Sequence, residues 1–220
     1  MKKWIAEHSL LLVLVVLFVG SLVGMMISGW YVANSHLTEH GQPPESFGAF
    51  LASGDFWEAL FENWESEFLQ MGAYVVLTVF LFQKGSSESK PIGETAPQDE
   101  DPRKHASDPH APWPVRRGGL ALKLYENSLF LLFVVLFVAA FIGHAVGGAA
   151  AYSEEQALHG MPPVGVLEYL GTSRFWFESF QNWQSEFLAI AAMVWLAVYL
   201  RQRYSPESKP VYAPHDETGR

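Results

Sequence analysis

The chain has 220 residues, half of them hydrophobic, a formal net charge of −9 and no cysteine. Without cysteine there is no disulfide, thiolate zinc site or iron–sulfur cluster, and the acid excess argues against a nucleic-acid surface. The apolar residues are gathered into long runs, which excludes an ordinary soluble protein of one or two domains.

In chain order, Lys2-Lys3 precede a run, 9–35, that contains no charged residue. A helix needs roughly 20 apolar residues to cross about 30 Å of hydrocarbon, so a span is predicted over 9–30. A basic start followed by apolar residues also suits a cleaved signal. However, the run exceeds the usual ~7–15 apolar residues of a signal, and its likeness recurs deep in the chain, so it reads as retained. Within it Gly20, Gly24 and Ser28 are four apart. Such small residues let helix backbones approach closely in lipid, and helix packing is favoured over a substrate path lined by bare backbone.

His40-Gly41 and Pro43-Pro44 then mark a turn. It leads into a short amphipathic helix expected near 46–52. Phe56, Trp57, Phe61 and Trp64 follow, with Trp57 and Trp64 seven apart on one helical face. Indole rings anchor at membrane interfaces, which predicts a helix that lies on the surface and bends into a second span over 64–83. The apolar part of that span is short, so Glu67 is drawn to the boundary. Asn63, Glu67, Gln70, Tyr74 and Thr78 share one face, and a polar stripe in hydrocarbon should face protein or water.

Residues 85–119 hold six prolines among Asp, Glu, Lys and Ser with no apolar period, and are expected to be a disordered linker. Beyond it the chain repeats. Shifted by 119 positions, 7–91 aligns with 126–210 without a gap, with 36 of 85 positions identical. The second copy has spans expected over 127–149 and 183–202, anchors Trp176 and Trp183, and Ala139, Gly143 and Gly147 in the packing stripe. It also carries Asn182 and Glu186 in the polar stripe, while Ala189, Met193 and Ala197 replace the rest.

A duplication with a fixed period sets the architecture. The expected fold is an all-α integral membrane protein of four transmembrane helices. These form two tandem helical hairpins, 1–84 and 120–203, with interfacial helices in the outer loops and a tail at 204–220. Thirteen of the 14 Lys and Arg residues lie in the N-terminus, linker and tail; only Arg174 sits between paired spans. The positive-inside rule places both termini and the linker in the cytoplasm. Two spans per copy then give both hairpins the same orientation, about an axis along the membrane normal.

His40, His159, Glu67 and Glu186 are candidate ligands for a divalent ion or haem-type cofactor. Their spacing lacks a local ligand signature, so no cofactor is favoured. His144 reads as a packed histidine. No phosphate loop, nucleophile elbow or zinc-protease motif occurs, and no enzyme is expected.

The segments Asn63-Trp64-Glu65-Ser66-Glu67-Phe68-Leu69-Gln70 and Asn182-Trp183-Gln184-Ser185-Glu186-Phe187-Leu188 are each followed by a span. Beyond the spans come Ser86-Ser87-Glu88-Ser89-Lys90 and Ser205-Pro206-Glu207-Ser208-Lys209. Together they resemble a family of uncharacterised bacterial membrane proteins, a domain of unknown function. The likeness covers both copies. It departs at Ala189, where the family motif has Gln, and at Ser87 and Tyr204 in its Gly-Ser-Pro form. The resemblance implies a bacterial inner-membrane protein and supplies no activity.

The expected role is therefore non-enzymatic: a structural, assembly or accessory component with acidic, Trp-rich outer loops. Its partners are the bilayer and a second copy or another membrane protein. Two alternatives stand beside it, an ion or solute transporter using Glu67 and Glu186, and a metal- or cofactor-binding redox subunit using the two histidines and two glutamates.

Overall fold

The computed structural model describes residues 2–219. Arg220, one of the basic residues used to orient the chain, lies outside them. Among the described residues all regular structure is helical. The α-helices are α1 (Lys2–Glu7), α2 (Ser9–Glu39), α3 (Phe47–Phe50), α4 (Gly54–Phe80), α5 (Trp113–Arg117), α6 (Gly119–Glu126), α7 (Ser128–Leu158), α8 (Val166–Tyr169) and α9 (Ser173–Tyr199). The bounds of α2, α3 and α4 recur 119 positions later in α7, α8 and α9.

Two helices, α2 and α7, are long and apolar enough to cross a membrane. α2 is hydrophobic all round yet has no buried residue, and such a helix needs either a protein core or lipid around it. α4 and α9 are each one unbroken helix of 27 residues. The surface helix bending into a span is thus replaced by a continuous rod. The reason is visible in the sequence: 55–71 contains neither Gly nor Pro, so nothing interrupts the ladder. The expected interfacial helices are single turns, α3 and α8.

α2 and α7 end alike. Gly41 and Gly160 take positive φ of 72° and 71°. The amides of Gln42 and Met161 bond back to Leu37 O and Gln156 O at 2.8 and 2.9 Å. This six-to-one closure needs a residue tolerant of the left-handed region, which Gly supplies. The His-Gly pairs that stand out in the sequence are therefore helix stops.

The chain divides into two compact units, each drawing on both sequence repeats: Met1–Phe61 with Ile142–Phe175, and Glu62–Phe141 with Trp176–Arg220. In the first unit the start of α4 lies against the end of α7 at backbone distance. A β-carbon on Gly147 would stand 2.6 Å from the Glu58 amide, one on Gly54 would strike the Ala151 amide, and one on Gly143 would enter the Phe61 ring. The small-residue positions Gly143 and Gly147 of α7 thus receive α4. Gly20 and Gly24 have nothing within 4 Å of an added β-carbon, and the Ser28 hydroxyl donates to Gly24 O at 2.8 Å within its own helix. Ala139 is exposed.

In the second unit the Gly72 position of α4 lies against Phe133 of α7, and Phe137 meets Trp183 of α9 edge-on at 6.5 Å. Segment 85–119, expected to be disordered from its composition, holds α5 and two 3-10 turns, Pro97–Asp99 and Pro102–His105. Its side chains are mostly exposed. Its polar contacts include Lys90 Nζ to Asp99 Oδ1 at 2.6 Å. The tail is held likewise: the Gly85 amide donates to Thr218 Oγ1 at 2.8 Å, and the Gly219 amide to Ser86 O at 3.0 Å.

Candidate functional site

The loops after α2 and α7 are pinned at equivalent points. Asn34 accepts from the Glu45 amide at 2.6 Å and donates to Glu45 O at 3.2 Å, and the Trp30 indole donates to the same carbonyl at 2.9 Å. In the second copy Ser153 accepts from the Val164 amide at 2.9 Å and donates to Val164 O at 3.1 Å. A polar side chain near the end of each long helix thereby ties down the residue that follows each Pro-Pro pair.

Beside the loop after α2, the first unit holds a half-open cavity of about 1010 Å3. Its apolar lining includes Met25, Val32 and Leu37 of α2, Phe50 of α3 and Phe56 of α4; Phe50 and Phe56 meet edge-on at 5.7 Å. Its carboxylates are Glu45, Asp55, Glu58, Glu154 and Glu155. Arg174 is ion-paired with Glu155 and lies over the Tyr152 ring at 5.2 Å. The remaining acids outnumber the nearby base, His36.

Glu58 is the built part of this wall. It is 8 % exposed, and its Oε1 accepts from the hydroxyl of fully buried Tyr169 at 2.8 Å. His144, also fully buried, stacks on Phe175 at 4.6 Å and brings a ring nitrogen within 4.8 Å of a Glu58 oxygen. A buried carboxylate is costly unless hydrogen-bonded, and here the Tyr169 hydroxyl also fixes its direction.

The electrostatics follow burial first and neighbouring charge second. Desolvation, then repulsion from Asp55, raises the Glu45 carboxyl above its ordinary value. Desolvation also raises that of Asp55; His36 and Arg174 oppose the shift and Glu155 adds to it. Asp55 remains open to the cavity space, so the desolvation comes from protein on its other sides.

The residues singled out from sequence lie elsewhere. His40 and His159 are neighbours in the first unit, rings edge-on at 6.4 Å, and His40 Nδ1 is 2.9 Å from His36 O. Glu67 and Glu186 belong to the second unit. There Gln70 Nε2 donates to Glu186 O at 3.1 Å, Tyr74 donates to Glu88 Oε2 at 3.2 Å, and Asn182 donates to Glu62. Asn63 and Glu67 are exposed. The buried acid of this seam is Glu65, fully covered, with Trp183 Nε1 donating to it at 3.0 Å. Trp183 is thus a seam residue and Trp64 is half-buried, whereas Trp57 and Trp176 keep about two-fifths of their surface open.

Sequence reasoning missed Glu58, Asp55 and Glu45. The signal was divergence between the copies: position 58 is Glu where 177 is Phe, 45 is Glu where 164 is Val, and 55 is Asp where 174 is Arg. The Ser-x-Glu-Ser-Lys segments prove structural. Ser89 and Ser208 accept from the Gln83 and Gln202 amides at 3.1 and 2.9 Å, closing the turn after each of α4 and α9.

Comparison with curated proteins and with solved structures gives no match. The model of one family, described as a domain of unknown function (DUF6766), matches residues 1–220, and the chain belongs to that family.

Proposed function

We propose that the protein is a non-enzymatic, four-span accessory component of a bacterial inner membrane whose outer loops form a folded docking platform. The observation that carries this reading is the equivalent pinning of both loops, Asn34 to Glu45 and Ser153 to Val164. A connection that merely joined two spans would not need it. Support for the lipid setting comes from α2, most of whose large apolar side chains between Leu10 and Val32 are exposed. α4 and α9 supply the second and fourth spans, with termini and linker inside.

Because the chain has no cysteine, any introduced thiol is the sole target of a membrane-impermeant maleimide. Ser46→Cys should label in intact spheroplasts and Ser107→Cys only after lysis; labelling of Ser107→Cys in intact spheroplasts would overturn the topology. For the platform, a photo-crosslinking amino acid at Trp176, which is exposed, should trap a second polypeptide. Recovery of a bare monomer alone would sink that role.

Transport through Glu67 and Glu186 is the second reading, favoured by their lying together in the second unit, where Gln70 Nε2 donates to Glu186 O at 3.1 Å. Glu67→Gln combined with Glu186→Gln should then abolish cation flux into liposomes, and unchanged flux ends that reading.

A further inference from the structure

We propose that the cavity of the first unit is a binding site for an organic cation that carries an apolar body. The inference stands on this unit alone and does not depend on the number of spans.

The chemistry selects the class by elimination. An anion would face Glu45, Asp55, Glu58 and Glu154. A neutral lipophile would desolvate Glu45, Asp55 and Glu154 without compensating their charge. A compact divalent ion needs several oxygens at about 2.3–2.6 Å. Among the described residues, the group that brings three ligand atoms within 4.8 Å of one another takes Glu58 from this cavity, with His144, and none of its other carboxylates. The acids are spread around a volume of about 1010 Å3, suited to a larger cation whose charge is diffuse. Phe50 and Phe56, packed edge-on against each other and 4 % and 6 % exposed, back the same space and give it an apolar wall for the body of such a cation.

Preorganisation distinguishes this site from a surface patch of acids. Glu58 is held by Tyr169 and lies beside His144, both fully buried. The duplication explains how it arose. Three pairs of positions 119 apart line the cavity: Val32 with Ala151, His36 with Glu155, and Asp55 with Arg174. Identical copies would set like charge against like charge here. Divergence instead produced one internal ion pair, Arg174 with Glu155, and left Glu45, Asp55 and Glu154 facing the cavity.

Gly29 sets the size limit. A β-carbon there would stand 2.7 Å from the tip of the Phe50 ring, so Gly29→Ala must displace that ring.

The test is equilibrium binding to the detergent-purified full chain. The probes are tetraphenylphosphonium, its neutral analogue tetraphenylmethane solubilised in the same micelles, tetramethylammonium and calcium. Tetraphenylphosphonium should bind saturably at one site per chain, and the other three at least tenfold more weakly. Asp55→Asn and Glu58→Gln should each weaken phosphonium binding about tenfold, while Glu126→Gln, outside the cavity, leaves it unchanged. Gly29→Ala should alter phosphonium affinity more than tetramethylammonium affinity. Equal binding of the neutral analogue, tighter binding of calcium, or unaltered affinity in Asp55→Asn would each overturn the proposal. Asp55 is open to the cavity, so that variant remains decisive if Glu58→Gln fails to fold.

Discussion

Gly54 and Gly20 look alike in the sequence, both small residues in helical context, yet their surroundings differ completely. A methyl group at Gly54 meets the Ala151 backbone, whereas one at Gly20 meets nothing. Overpacking typically costs about 1–3 kcal/mol, and backbone cannot yield as a side chain can. Gly54→Ala should therefore destabilise by at least about 2 kcal/mol in a detergent thermal-unfolding assay. Gly20→Ala should be neutral; a large loss at Gly20 would mean that a second copy covers it. Tyr169→Phe removes the donor to Glu58 and should cost about 1–3 kcal/mol, the usual penalty for a buried acceptor left without its partner. Asp55 behaves oppositely. Its folded carboxyl holds a proton more tightly than the unfolded one, so the penalty is absent below the ordinary carboxylate range and grows as pH rises through the folded value. Asp55→Asn should accordingly raise the melting temperature at pH 7 and raise it less at pH 4. An equal effect at both values would refute the assignment.

At the scale of elements, α2 and α7 were legible because an uncharged run of such length has few other uses. Their ends were legible in form though not in meaning. His40-Gly41 and His159-Gly160 carry the capping signal, but the histidines drew attention toward metal chemistry. The continuity of α4 through Trp57 and Trp64 was hidden by the anchoring role assigned to the indoles. The absence of any helix breaker was the better guide. The Ser-x-Glu-Ser-Lys segments were recognised as motifs without a purpose, which emerges only when Ser89 and Ser208 are seen to accept from the Gln83 and Gln202 amides. Each such bond contributes on the order of 1 kcal/mol, so Ser89→Ala and Ser208→Ala should each lower stability by about that amount. Protease cleavage should then shift toward the segments that follow them.

At the scale of the whole molecule, the duplication was the strongest signal in the chain, and the helix bounds keep its period. The compact units do not follow it: each takes residues from both copies. Hairpins that bury their faces against one another cannot be told from independent hairpins by sequence repetition alone. The cavity was illegible for the same reason. Its acids come from α4, α7 and the loop after α2, segments far apart in sequence, and no local spacing joins them. Only positions where the copies disagree in charge could have pointed there. Sequence repetition found the scaffold, and divergence from repetition marks the site.

Lys209 is 2 % exposed, with its ammonium donating to the carbonyls of Pro214, His215 and Glu217 at 3.0, 3.2 and 2.8 Å. Lys104 keeps about two-thirds of its side chain open to solvent. An amine-reactive reagent should modify Lys104 quickly and Lys209 slowly, so the ratio of the two adducts becomes a clock for how often the tail lets go of its own lysine.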